Sequence, residues 1–123
     1  MRLLLDTHVL LWWADGTHLD RATISQIEEA EQVYISAVVA WEVAIKTALG
    51  RFSPERSVSV MATSYGFDQL PMYFTHAEAI ASLQFHHRDP FDRMLAAQAI
   101  VEGLTIVTRD PVFARYGVEV LRA

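Results

Sequence analysis

The sequence predicts an α/β fold, a three-layer α/β/α domain with a central, mostly parallel β-sheet. Short apolar runs that suit buried strands alternate with segments whose apolar residues recur at helical spacing. Serine, aspartate and glycine residues stand where the helices would begin and end. The chain has 123 residues, which is enough to bury one core, so we expect a single domain over residues 1–123.

The first part of the chain contains two predicted strands, each followed by a helix. Arg2–Leu5 is an apolar run that ends at Asp6 and leads into a helix through Val9–Trp13. A second helix should pass through Ile24–Ala30, because apolar residues recur there every three positions beside a glutamate-rich face. Val33–Ile35 then reads as another buried strand.

The next helix is predicted over Ala37–Leu49. Ser36 is a suitable N-cap, and Gly50 is placed to take the left-handed conformation that often follows the last helical residue. Because almost every residue of this segment is apolar, we expect most of the helix to be buried.

The middle of the chain should add a helix, a strand and a further helix. Val58–Tyr65 has helical character, and Phe67–Leu70 suits a short strand. Thr75 and Glu78 have the spacing of a capping box, which predicts a helix that continues to Leu83.

The last third begins with a well-marked helix. Asp89 is a good N-cap, Pro90 suits the first helical position, and Gly103 suits the position after the last turn. The remaining predicted elements are a strand at Leu104–Val107, a helical turn within Asp110–Tyr116 and a last strand at Val118–Leu121.

Composition limits the possible functions. Without cysteine there is no disulfide framework and no thiol nucleophile, and oxygen or imidazole must hold any metal. The net charge of −5 argues against purely electrostatic binding of nucleic acid, although arginine, which pairs with phosphate in a forked geometry, supplies nearly all the basic residues. The hydrophobic content of 52% predicts contact with a partner. No apolar run is long enough for a membrane helix and none resembles a signal peptide, so we expect a cytoplasmic protein.

Several acidic residues should meet at one edge of the sheet. Asp6 follows the first strand and Asp110 follows the Leu104–Val107 strand, while Asp89 and Asp92 open a helix that leads into that strand. Ligands of parallel sheets bind outside the carboxyl ends of the strands. Clustered carboxylates repel one another unless a cation neutralises them, and hard oxygen ligands favour Mg²⁺ or Mn²⁺. Such an ion can activate a water for attack on a phosphodiester.

Glu42 is the most informative acid because its sequence neighbours are almost all apolar. Burial of a lone carboxylate is costly unless the acid is protonated, paired with a cation or bound to a metal. Glu42 either forms an ion pair with Lys46, one helical turn later, or belongs to a metal site.

The other acids also have structural alternatives. Asp89 and Asp110 could serve as helix caps. Asp92 could complement the helix dipole from the first turn, and Asp6 could be a turn residue at a strand end. The pair His86–His87 is expected to be exposed in a loop rather than to assist the chemistry.

Taken together, the acidic motifs resemble those of the PIN-domain ribonucleases, in particular the VapC-type toxins of bacterial toxin–antitoxin pairs. The resemblance covers nearly the whole chain and rests on four segments in the same order. They are Leu3–His8, with Asp6; Ser36–Lys46, with Glu42; Asp89–Arg93, with Asp92; and Leu104–Asp110, with Asp110.

The resemblance implies a PIN-like nuclease domain, a Mg²⁺-dependent endoribonuclease that acts as a toxin, is often a homodimer and is inhibited by a cognate antitoxin. Its catalytic and metal-binding residues would be Asp6, Glu42, Asp92 and Asp110, whereas Asp89 stays open as a ligand, a cap or a group behind the ligands. Mn²⁺ should substitute for Mg²⁺. The arginines near the acids are candidates for contacts with the RNA phosphate, with structural ion pairs as the alternative; they are Arg88, Arg93 and Arg109.

Two other functions are compatible with the sequence. One is a receiver-like signalling domain, which also binds Mg²⁺. Such domains resemble one another in having paired acids after the first strand and a lysine after a late strand. Here Asp6 stands alone after the first strand, and Lys46 is the sole lysine. A non-catalytic α/β binding domain would use the acids only as caps and surface pairs.

Overall fold

Five short strands form one sheet in the computed structural model, which describes residues 1–123. The strands are β1 (Arg2–Leu5), β2 (Gln32–Ser36), β3 (Asp68–Leu70), β4 (Thr105–Thr108) and β5 (Val120–Arg122). Their order is β3-β2-β1-β4-β5, and all neighbours are parallel. The predicted fold class is confirmed. From β1 the chain adds β2 and β3 on one side of the sheet, and then β4 and β5 on the other side. The strand order therefore switches between β1 and β4.

Seven α-helices flank this sheet. They are α1 (Thr7–Asp15), α2 (Arg21–Glu29), α3 (Ala37–Ala48), α4 (Val58–Tyr65), α5 (Phe74–Ala79), α6 (Pro90–Glu102) and α7 (Val112–Arg115), with a 3₁₀ turn at Ile80–Ser82. The predicted elements are all present, and their ends differ from the prediction by a few residues. None of these helices combines the length and the apolar character that a bilayer crossing requires.

The central strands are buried on both faces, which explains their unbroken apolar sequences. Leu3, Leu4 and Leu5 of β1 have no solvent exposure, and Ile106 and Val107 of β4 are equally buried. Helices that cover both faces leave only the strand ends accessible, and the polar residues of the site stand there.

Three helices that carry candidate acids begin at this edge, and each is capped by a side chain. The Asp6 carboxylate accepts the Val9 N–H (2.9 Å) and so caps α1. Ser36 caps α3, as predicted. Asp89 caps α6, again as predicted, with Pro90 in the first turn and Gly103 in the left-handed conformation (φ 67°) after the last. The caps of α1 and α6 are therefore themselves candidate site residues.

The prediction for α5 was wrong at both ends. The helix starts at Phe74 rather than after Thr75, and it tightens into the 3₁₀ turn instead of continuing to Leu83. The Tyr73 N–H is bound by Nδ1 of His76 (3.0 Å), a fully buried ring whose Nε2 contacts Glu102 (2.7 Å). A tertiary contact to α6 therefore determines where α5 begins.

The prediction that α3 is mostly buried was also wrong for its outer face. Val38, Val39 and Val43 pack into the core, but Trp41 is 53% exposed and Leu49 is 60% exposed. One side of the helix meets the core, whereas Trp41 on the other side contacts only the edge of the protein, where it packs edge-on against Phe91 (5.1 Å between ring centroids). The apolar residues on the other side match the excess of hydrophobic residues that predicted contact with a partner.

Candidate active site

Asp6 and Asp110 are brought together by a threonine at the end of β4. The Thr108 hydroxyl donates to the Asp6 carboxylate (2.5 Å) and accepts the Asp110 N–H (3.0 Å). The Asp110 carboxylate in turn accepts the Val112 N–H (3.0 Å) at the start of α7. The two acids predicted to share an edge therefore lie around one hydroxyl at the point where the strand order switches.

The Asp6 carboxyl is in an environment that disfavours its charge. Burial raises the pKa of Asp6, and the nearby Asp110 carboxylate raises it further, while the hydrogen bonds from Thr108 and Val9 lower it. The net direction is upward. A carboxylate in this position is stabilised by any cation that reaches it.

Glu42 lies on α3 and is only 6% exposed. Its Oε1 accepts a hydrogen bond from the Thr7 hydroxyl (2.5 Å), and its Oε2 pairs with the Lys46 ammonium (2.7 Å). Since Thr7 directly follows Asp6, this contact ties Glu42 to the start of α1. The ion-pair interpretation of Glu42 is confirmed. Its carboxylate also lies close enough to Asp92 to raise the pKa of that carboxyl.

Asp92 and Asp89 stand on the first turn of α6. Burial and the adjacent Asp89 carboxylate raise the pKa of Asp92 to about 6, Glu42 adds to the rise, and a contact with His87 opposes it. Asp89 accepts N–H groups from Phe91 (2.9 Å) and Asp92 (3.3 Å) through a single oxygen, Oδ1. Its cap role is therefore confirmed, and its other oxygen forms no hydrogen bond.

His87 is the residue that sequence reasoning misjudged. Instead of facing solvent, it places Nε2 3.3 Å from the Asp92 carboxylate and Nδ1 2.8 Å from the Tyr116 hydroxyl. His86 is also partly buried and packs edge-on against the Tyr116 ring. Tyr116 lies 29 residues away from His87, so no local pattern indicated these contacts.

Thr7 and Thr108 were missed as well, although their positions carried a signal. Each is a hydroxyl at the carboxyl end of an apolar strand, one directly after the first site acid and the other two residues before the last. Strand ends of this kind face the edge where the ligands of parallel sheets bind.

The three arginines differ in their contacts. Arg88 is exposed. Arg93 donates to the carbonyl oxygens of Gln84 (2.9 Å) and Leu83 (3.4 Å). Arg109 lies over the Trp12 ring (4.3 Å) and binds two backbone carbonyls. None forms the predicted alternative of an ion pair with a site acid.

The chemistry of these groups fits a divalent cation. The donors are carboxylate oxygens, and burial and neighbouring carboxylates disfavour the charged form of both acids with raised pKa values, Asp6 and Asp92. In this conformation no three histidine, aspartate or glutamate side chains lie close enough to hold one ion together. Uptake of an ion would thus require the carboxylates to turn toward it.

Comparison with known proteins indicates the family of this chain. The model of the PIN domain family matches residues 3–119. Ribonuclease VapC22 of Mycobacterium tuberculosis (strain ATCC 25618 / H37Rv) is 29% identical over 116 residues, which are 88% of this chain and 86% of that protein. The match argues against a receiver-like domain.

Several solved structures have the same fold, among them three VapBC structures. The chain is similar to VapBC2 from Rickettsia felis bound to a DNA fragment from the promoter, with a TM-score of 0.74, 16% identity and coverage of 99% of this chain and 98% of that one. DNA-bound VapBC from Salmonella typhimurium also gives a TM-score of 0.74, with 20% identity and the same coverage. VapBC-5 from Mycobacterium tuberculosis, a member of the VapBC family of toxin–antitoxin systems, gives 0.67 at 22% identity, again with 99% and 98% coverage. The chain therefore belongs to the PIN-domain family and is a distant relative of the VapC ribonuclease toxins.

Proposed function

We propose that this protein is an endoribonuclease that depends on Mg²⁺, or on Mn²⁺ in its place. The observation that carries the proposal is the convergence of carboxylates at the switch between β1 and β4. The Thr108 hydroxyl binds the Asp6 carboxylate and the Asp110 N–H. Thr7, the residue after Asp6, binds Glu42, and the Glu42 carboxylate raises the pKa of Asp92. A purely structural role gives no reason to collect these acids at one accessible edge.

Asp6, Glu42, Asp92 and Asp110 are the proposed ligands and catalytic residues. When bound, a divalent ion would polarise the phosphodiester and supply an activated water for attack on phosphorus. Asp89, which keeps one oxygen free while capping α6, is a fifth candidate ligand. Thr7 and Thr108 hold Glu42 and Asp6 in place through their hydroxyls.

RNA is the proposed substrate because a 29% identical relative is named a ribonuclease. Arg88, Arg93 and Arg109 are the proposed phosphate contacts. Arg88 is the least constrained of them by other contacts, whereas Arg93 and Arg109 would have to exchange a carbonyl contact or use remaining N–H groups.

Cleavage of a labelled single-stranded or structured RNA in the presence of Mg²⁺ tests the proposal. Asp6→Asn should abolish cleavage and leave the melting temperature equal or higher, because asparagine can still cap α1 and the buried charge is removed. Asp15→Asn, an exposed change at the far end of the same helix, is the matched control and should cleave normally. Failure of the wild-type protein to cleave any RNA would contradict the proposal and favour a non-catalytic binding domain.

We also propose an antitoxin partner and a homodimer. The similar solved structures include toxin–antitoxin complexes, and large apolar side chains are exposed on this chain, among them Trp41, Phe74 and Phe85. Toxicity on expression should disappear with Asp6→Asn and on co-expression of a small DNA-binding protein encoded beside this gene. Light scattering should give twice the mass of 13.9 kDa for the isolated chain. A wild-type chain that is not toxic would contradict the toxin–antitoxin proposal, and a monomeric mass would contradict the homodimer.

A further inference from the structure

Both oxygens of the Glu42 carboxylate are already occupied by protein donors. Thr7 binds Oε1, and the Lys46 ammonium lies 2.7 Å from Oε2. The Glu42 side chain is 8% exposed, whereas the Lys46 side chain is 43% exposed. The cation therefore reaches an almost buried acid from a position that is open to solvent.

This ion pair is unusual within the molecule. The chain has fifteen acidic residues and nine arginines, yet Lys46 with Glu42 is the sole contact within 4.0 Å between a lysine or arginine and a carboxylate side chain. The arginines nearest the site bind backbone carbonyls or face solvent instead. The one lysine of the protein is thus placed on a site acid.

A compact ammonium on a flexible stem is suited to leave such a position. It bonds as a point charge, unlike the forked guanidinium, and its exposed side chain can be solvated elsewhere without moving α3. A divalent ion that approaches Glu42 would meet this positive charge at short range, where electrostatic interactions in a partly buried site are strong.

Resting on the proposed metal site, we propose that Lys46 is a displaceable counter-cation of Glu42. Its ammonium neutralises the buried carboxylate while no ion is bound, competes with the divalent ion for Oε2, and thereby lowers the affinity of the site for metal. Lys46 is a positioning residue in this scheme, because it acts through Glu42.

Direct binding of Mn²⁺, followed by the electron paramagnetic resonance of the free ion, tests this competition. Lys46→Met should bind Mn²⁺ more tightly, by on the order of tenfold or more, and Lys46→Gln should behave similarly. Lys46→Arg keeps the charge and can pair with the carboxylate in a forked geometry, so it should bind Mn²⁺ no more tightly than the wild type. Arg51→Met removes a positive charge from an exposed side chain just beyond the same helix and should leave the affinity unchanged.

Thermal melting separates this effect from a merely structural one. If Lys46→Met and Lys46→Gln fold but bind Mn²⁺ no more tightly than the wild type, the proposal is overturned. Should Lys46→Met not fold, the milder Lys46→Gln decides in the same way.

The single lysine also permits a direct view of the displacement. Reductive methylation with ¹³C-formaldehyde labels Lys46 and the amino terminus, which gives two NMR signals. Addition of Mg²⁺ should move the Lys46 signal toward that of a solvated amine, and Glu42→Gln should show this position before any Mg²⁺ is added. A Lys46 signal that stays in place while Mg²⁺ binds would overturn the proposal.

A missing metal site and a Lys46 that does not compete with metal would give different results. If the wild-type protein binds no Mn²⁺, both the metal site and the role of Lys46 are wrong. If the wild type binds Mn²⁺, Asp6→Asn loses it and Lys46→Met binds as the wild type does, the proposed function stands and the role of Lys46 alone is wrong.

Discussion

The Thr108 hydroxyl donates a hydrogen bond to the Asp6 carboxylate over 2.5 Å, although 102 residues separate the two. The contact is possible because β1 and β4 are neighbours in the sheet, with Leu5 opposite Val107. The same hydroxyl accepts the Asp110 N–H. One side chain thus joins the first and last acids of the proposed site, and the fold rather than local sequence brings them together.

Replacement of Thr108 by valine should impair both activity and stability. The buried Asp6 carboxylate would lose a donor, at a cost of about 1–3 kcal/mol in the free energy of unfolding. Cleavage should slow by at least about tenfold, the usual effect of removing a group that orients a metal ligand. Thr108→Ser should restore both, and Thr105→Val on the same strand should leave cleavage intact. Equal activity in Thr108→Val would show that the hydroxyl does not position Asp6.

Asp92 should make stability depend on pH in a specific window. Its pKa is raised from 3.8 to about 6, so between these values the folded protein binds more protons than the unfolded chain, and rising pH lowers the free energy of unfolding. Asp92→Asn removes this dependence. The melting temperature of Asp92→Asn minus that of the wild type should therefore increase between pH 4 and pH 6.5, by about several degrees, and stay constant above that pH. Melting in EDTA measures it, and a difference that stays constant from pH 4 to pH 7 would contradict the raised pKa.

The contacts of Arg88 and Arg93 predict different defects. Arg93→Ala removes donors to the Gln84 and Leu83 carbonyls and the stacking on Phe85, so its melting temperature should fall. Arg88→Ala should melt like the wild type and raise the KM for RNA severalfold, since it removes a phosphate contact. Steady-state kinetics and calorimetry on both variants check this. An unchanged KM in Arg88→Ala would remove that arginine from the proposed substrate site.

Local sequence was sufficient for the features that depend on near neighbours. Apolar runs predicted the strands because both faces of the sheet are covered, and Ser36 and Asp89 were recognisable caps since a cap binds N–H groups only two or three positions away. The placement of Asp6 and Asp110 at one edge could be predicted for a similar reason, because the carboxyl ends of parallel strands share one edge.

Contacts between distant segments were beyond the reach of these patterns. The start of α5 depends on the contact of His76 with Glu102, and the partial burial of His87 depends on its contact with Tyr116. The exposure of Trp41 depends on which face of α3 packs against the core, and the apolar sequence of that helix carried no signal for it. Each error comes from a tertiary partner 20 or more residues away or from the choice of packing face.

Reconstitution with metal tests the central claim most directly. Protein treated with EDTA and then freed of the chelator should not cleave RNA, and Mg²⁺ or Mn²⁺ should restore cleavage to the wild-type chain but not to Asp6→Asn. Cleavage by the metal-free protein, or equal restoration in the two chains, would contradict a divalent-ion site built on these carboxylates.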